Sequence, residues 1–145
     1  MDNSAFAIHL VTAASKHLLE HVDDDVFDHA LDPPMLEKFL ACPSNALFVA
    51  VEDGCVVGMA TGLAYDQPDK PRSLFINEVG VSSRLHRRGI GRQLVAAIIT
   101  WGKKQGCREA WVATEVGNVS ARALYQSTGA KEVEEFAVVY VYPLA

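Results

Sequence analysis

The chain has 145 residues, half of them apolar, and a formal net charge of −5, enough for one well-filled core and too little for two ordinary domains. A general binder of the nucleic-acid backbone needs a basic surface, so this balance excludes nucleic acid as the expected partner. No apolar run approaches a membrane span and the N-terminus lacks a secretory signal, so one soluble, cytoplasmic domain over residues 1–145 is expected, with no membrane partner.

Ala5 to Val11 alternates and is β-prone, which predicts a first strand. Thr12 to His21 predicts a helix with Thr12 as N-cap and Leu18, Leu19 and Val22 on its apolar face. An acidic run, Asp23-Asp24-Asp25 and then Asp28, follows before Pro33-Pro34. Pro34 suits the first turn of a second helix through Met35, Leu36, Phe39 and Leu40. His17, His21 and His29 lie near one another in sequence. The order His-Leu-Leu-Glu-His is not a zinc-protease pattern and the aspartates lack the calcium-loop glycine, so no metal is expected.

Ala46 to Val51 and Cys55 to Leu63 predict two strands joined by Glu52-Asp53-Gly54, in which Asp-Gly signals a hairpin. A polar hinge, Gln67 to Arg72, leads to a central strand from Ser73 to Val81. A helix is predicted from Gly91 to Lys104, ending near Gly106, then a strand from Ala110 to Thr114 and a helix from Asn118 through Tyr125, stopped at Gly129. The β-rich tail from Val133 to Tyr142 is expected to close the sheet. Cys42, Cys55 and Cys107 are odd in number and form no Cys-x-x-Cys pair. They fit a reducing compartment and small core positions rather than disulfides or nucleophiles.

Charge is unevenly divided. Seven Lys or Arg and no acid lie between Val79 and Arg108, whereas six acids and no Lys or Arg lie between Glu20 and Asp32. One end invites an anion and the other a cation. At the basic end, His86-Arg87-Arg88-Gly89-Ile90-Gly91-Arg92 joins the central strand to a helix. Glycines at 89 and 91 let backbone N–H groups approach phosphate oxygens, and the helix N-terminus adds its own N–H groups. A dinucleotide fingerprint would need glycine at 94, which is Leu94, and no Gly-Lys-Ser/Thr follows.

This turn, with Val79-Gly80-Val81 before it, resembles the coenzyme A loop of the Gcn5-related N-acetyltransferases (GNAT), although His86 stands where the family carries Arg or Gln. A second segment, Asn118-Val-Ser-Ala-Arg-Ala-Leu-Tyr125-Gln-Ser-Thr-Gly129, resembles the family's Asn-x-x-Ala-x-x-Leu-Tyr-x-x-x-Gly motif. The resemblance spans nearly the whole chain. It implies an α/β (α+β) fold with a mixed sheet of about seven strands and four helices, in the order β-α-α-β-β-β-α-β-α-β-β, splayed at the cofactor site. Within the family, the hinge and acidic N-terminal half are most similar to aminoglycoside 3-N-acetyltransferases.

The resemblance further implies acetyl-CoA as cofactor, bound by Val79, Gly80, Val81, the turn from His86 to Arg92, Asn118 and Tyr125. It implies Glu78 as base, Tyr125 as the acid that reprotonates the thiolate, and the Val79 N–H as an oxyanion donor. The acceptor is expected to be a primary amine of a small cationic molecule, an aminoglycoside being one candidate, met by Asp24, Asp25, Asp28 and Glu78. Transfer would be direct, within a ternary complex. Two alternatives stay open: a protein or peptide N-acetyltransferase, and a non-catalytic acyl-CoA-binding module. A homodimer is what the resemblance suggests.

Overall fold

The computed structural model describes residues 5–145; residues 1–4, where the expected domain begins, lie outside the described residues. Strand β1 (Phe6–Leu10) is followed by a 3-10 helix (Ala13–Leu19), helix α1 (Pro33–Ala41), and strands β2 (Asn45–Glu52), β3 (Cys55–Tyr65) and β4 (Ser73–Val81). A short 3-10 turn (Ser83–Leu85) leads to α2 (Ile90–Lys104), β5 (Glu109–Val112) and α3 (Val119–Ser127). The strands lie in the order β1-β2-β3-β4-β5, antiparallel from β1 to β4, with β5 parallel to β4.

Local chemistry accounts for most of the element ends. Asp53 and Gly54 both take positive φ (51° and 74°), the geometry of a tight hairpin between β2 and β3. The Asp32 carboxylate accepts from the Met35 N–H at 3.0 Å and caps α1, whose first two residues are the proline pair. The expected first helix is instead a 3-10 helix, broken by non-helical backbone at Ser15, whose Oγ accepts from the Thr12 N–H.

The sheet is covered on both faces. On one, Ile90, Leu94 and Ile98 of α2 pack on Phe48, Ala60, Leu74 and Ile76. On the other, Val11 and Val26 pack on Leu47, Val49, Val56 and Met59, with Leu36, Phe39 and Leu40 of α1 closing over them. No helix among the described residues is long and apolar enough to cross a membrane.

Two expectations fail. Among the described residues the sheet has five strands rather than about seven, and the order ends at α3, with no strand after it. The reason lies at the tail. Val133 to Tyr142 has strand composition, but a strand exists only through a partner's backbone, and residues 131–145 lie exposed beside no neighbouring strand.

Leu94 is fully buried in the α2 core. Leu94→Ala is expected to lower unfolding stability by about 2–5 kcal/mol, as measured by urea denaturation.

Candidate active site

The decisive irregularity is in β4. Gly62 pairs with Ile76 and Thr61 with Glu78, so Asn77 is an extra residue with no opposite number. A bulge of one residue reverses the alternation of a strand. Before it, Leu74 and Ile76 face α2; after it, Val79 and Val81 do. Glu78 is thereby turned, with Gly80, to the opposite face, where the acidic loop lies. At Gly80 the approach is so close that a Cβ would fall 2.3 Å from the Val26 carbonyl oxygen. Thr61, directly across from Glu78, has a buried Oγ1 with no hydrogen-bond partner among the described residues.

The bulge also marks where β4 loses its neighbour. β5 pairs only with Ser73 to Ile76, so the edge of β4 from Asn77 to Val81 has no strand beside it. This bare edge leads into the turn. Arg87 and Gly89 both adopt left-handed backbone (φ 68° and 81°), and Gly89 begins α2 with open space around its Cα. Among the described residues no side chain caps α2, which leaves its first N–H groups without a side-chain acceptor at the positive end of the helix.

The arginines divide into two pairs. Arg88 makes a forked ion pair with Glu52, at 2.9 and 3.3 Å, and Arg84 donates from Nε to Asp23 at 2.8 Å. Both brace the loop. Arg87 and Arg92 have no ion pair among the described residues. His86 bonds through Nε2 to the Val81 carbonyl at 3.1 Å, closing the end of β4 with its ring. Ile90 is buried, so only its backbone can meet a ligand. The room at Gly91 is taken by α3, since a Cβ there would lie 3.2 Å from Leu124. This contact seats Tyr125 one residue from the first turn of α2.

Tyr125 is half-buried, and burial pushes its phenol above 10.0, which keeps it protonated and able to donate. Asn118 caps α3, its Oδ1 accepting from the Ala121 N–H at 3.0 Å.

The acidic loop does two jobs. Asp24 and Asp28 line a cavity of about 410 Å³ with Glu20, Phe27 and Leu31. Asp25, grouped with them in sequence, instead accepts from the Ser83 N–H at 2.9 Å. Asp23 accepts from Arg84 and from the Cys55 thiol. The Arg84 guanidinium, with smaller help from Ser82 and Cys55, holds Asp23 below its ordinary 3.8, and Ser83 does the same for Asp25. Burial, aided by Asp23, pushes the Cys55 thiol up, which leaves it a poor nucleophile. Asp23, Glu52 and Thr61 were not singled out by sequence pattern. Only the run of aspartates hinted at the first.

A family model for the acetyltransferase (GNAT) family matches residues 16–130. The chain belongs to that family. This GNAT chain is 30% identical over 102 residues to the aminoglycoside N(6′)-acetyltransferase type 1 of Salmonella typhimurium, covering 68% of this chain and 70% of the relative. It is 31% identical over 120 residues to N-acetyltransferase 8 of Homo sapiens, covering 82% of this chain and 52% of that protein. Among solved structures, aminoglycoside N-acetyltransferase AAC(6′)-Iy bound to the bisubstrate analogue CoA-S-monomethyl-acetylneamine matches with a TM-score of 0.77 at 25% identity. That match covers 97% of this chain, reaching into the tail, and 100% of the solved one.

Two outcomes follow. Gly80→Ala should push the acidic loop off β4, lowering stability by about 1–3 kcal/mol, read by thermal unfolding. The Asp23 and Asp25 bonds hold carboxylates whose folded pKa lies below 3.8. Their contribution is therefore complete above pH 3.8 and lost as pH falls through the lower folded values. Acid unfolding of Asp23→Asn should accordingly show a weaker pH dependence below pH 3.8, with no change in pH dependence near neutrality.

Proposed function

We propose that this enzyme transfers the acetyl group of acetyl-CoA to a primary amine of a small cationic acceptor by direct attack in a ternary complex, and that aminoglycosides are the first class to test. The observation that carries this reading is the course of β4. Past Asn77 it has a bare edge, turns a carboxylate toward the acidic loop, and runs into an uncapped helix N-terminus.

The chain's groups suit coenzyme A. Arg87 and Arg92 would supply charge, and the N–H groups from Gly89 to Arg92 would meet the pyrophosphate, while the edge from Val79 to Val81 would pair with the pantetheine amides. When bound, acetyl-CoA supplies an acetyl group activated as a thioester. Glu78 takes a proton from the ammonium, directly or through water, so that a neutral amine can attack. The Thr61 hydroxyl, which has no hydrogen-bond partner among the described residues and lies opposite Glu78, would orient that carboxylate or its water. The Val79 N–H is the donor for charge developing on the carbonyl oxygen. Tyr125, kept protonated by burial, returns a proton to the departing sulfur.

The cavity between Glu20, Asp24 and Asp28 suits several positive charges on the acceptor. The aminoglycoside relatives named above act at the 6′ amine, so that position replaces the 3-amine suggested by sequence resemblance as the first to examine.

A thiol-release assay with acetyl-CoA against aminoglycosides, polyamines, amino acids and peptides tests the proposal. Turnover confined to peptides would overturn the small-molecule acceptor. Glu78→Gln should lower kcat about 100-fold or more with little change in KM for acetyl-CoA; unchanged turnover would remove Glu78 from the mechanism. Tyr125→Phe should slow thiol release about 10-fold or more, and full activity would assign that proton to another donor.

A further inference from the structure

At His86 the basic turn carries an imidazole where the family pattern has Arg or Gln. Those two side chains donate hydrogen bonds at every ordinary pH, whereas an imidazole nitrogen donates only while it holds a proton. What His86 can offer an anion therefore depends on which of its nitrogens is already used.

The Ser82 N–H donates to the Val57 carbonyl of β3 at 2.8 Å. In an antiparallel pair, facing residues alternate between bonding each other and pointing apart, so the next pair, Gly58 and Val81, points apart. The Val81 carbonyl is thereby turned onto the bare edge of β4, where His86 Nε2 meets it at 3.1 Å. A carbonyl only accepts, so in the neutral ring the proton sits on Nε2 and Nδ1 is left with a lone pair. Nδ1 makes no hydrogen bond among the described residues, and His86 is exposed. The ring is held where the strand edge meets the turn. Because a carbonyl oxygen has two lone pairs, this bond leaves room for a second donor on the same edge.

Charge reaches the turn from several elements. Arg84 is held by Asp23 of the acidic loop, and Asp25 of that loop accepts from the Ser83 N–H. Arg88 is held by Glu52 of the hairpin, and Arg122 of α3 by Glu132. The charged residue of β4, Glu78, lies opposite Thr61. Arg87, and Arg92 in the first turn of α2, have no ion pair among the described residues. Two unpaired guanidinium groups oppose a further positive charge on the ring, and a pyrophosphate placed there reverses that balance.

Resting on the acetyl-CoA reading above, we propose that His86 is a proton-linked phosphate ligand. As the pyrophosphate binds, the ring takes a proton from solvent at Nδ1; the Nε2–H stays on the Val81 carbonyl and the new Nδ1–H donates to a phosphate oxygen. A neutral ring would aim its lone pair at the anion. Affinity for the cofactor is then greatest at low pH and falls as pH rises and the ring in the complex gives up its proton, a dependence that Arg or Gln at this position would not impose.

Calorimetric titration of the full chain with acetyl-CoA, without an amine, tests this in two buffers of different ionisation enthalpy. At pH 7.5 roughly half a proton or more should be taken up per site. Kd should rise about 10-fold from pH 7 to 9, a range in which the phosphates stay ionised and the thioester has no free thiol. His86→Gln keeps a neutral donor and should bind with no proton uptake and a nearly flat Kd over that range. His86→Arg should bind at pH 9 about as tightly as the unaltered chain does at pH 7, and it decides the matter should the glutamine variant fail to fold. Binding by the unaltered chain without proton uptake, or uptake that survives these substitutions, would overturn the linkage and leave the transferase reading in place. Absence of acetyl-CoA binding at any pH would instead overturn the cofactor reading on which the linkage rests.

Discussion

One extra residue in one strand sets the rest of the site. Without the bulge at Asn77, the alternation that points Leu74 and Ile76 at α2 would carry Glu78 to the same side, burying a carboxylate in the main apolar core. That would cost far more than a strand can tolerate. With it, the valines at 79 and 81 fill the core and the carboxylate meets the loop face. The same residue ends the pairing with β5. A bulge disrupts the ladder and increases local twist, so the reversal of face and the loss of the neighbouring strand share one cause.

The second organising feature is the attachment of the acidic loop to the basic turn. Groups far apart in sequence meet as an ion pair of Asp23 with Arg84 and a hydrogen bond from the Ser83 N–H to Asp25. Exposed pairs of this kind add little stability individually. Their consequence is positional: they fix the loop across β4, where Gly80 alone gives the Val26 carbonyl room. The acidic loop and the basic turn are therefore one assembly. In the proposed reaction, that coupling holds amine and thioester on opposite approaches to the same short stretch of β4.

The motifs that carried the family resemblance turn out to have mixed duties. Gly89 supplies left-handed backbone at the start of α2, whereas Gly91 gives up its space to Leu124 and so seats the helix that carries Tyr125. Asn118 is a helix cap. Arg88 is held by Glu52, a hairpin residue with no distinguishing sequence context. Letters in a motif report that a residue matters to the local fold or to a ligand, and only packing separates the two.

Sequence alone determined the features that depend on near neighbours. Periodicity and caps located β2, β3, β4, α2 and α3, Asp-Gly announced the hairpin, and the Arg/Gly turn after an apolar strand marked the approach to α2. What only the tertiary structure decided depends on a partner distant along the chain. The facing of Glu78 required knowing that Asn77 has no opposite residue. The fate of the aspartates required knowing which of them Ser83 and Arg84 would reach. The tail from Val133 to Tyr142 shows the limit most plainly, because its composition specifies a strand while strand formation is a property of two backbones, and the second is not written in the segment itself.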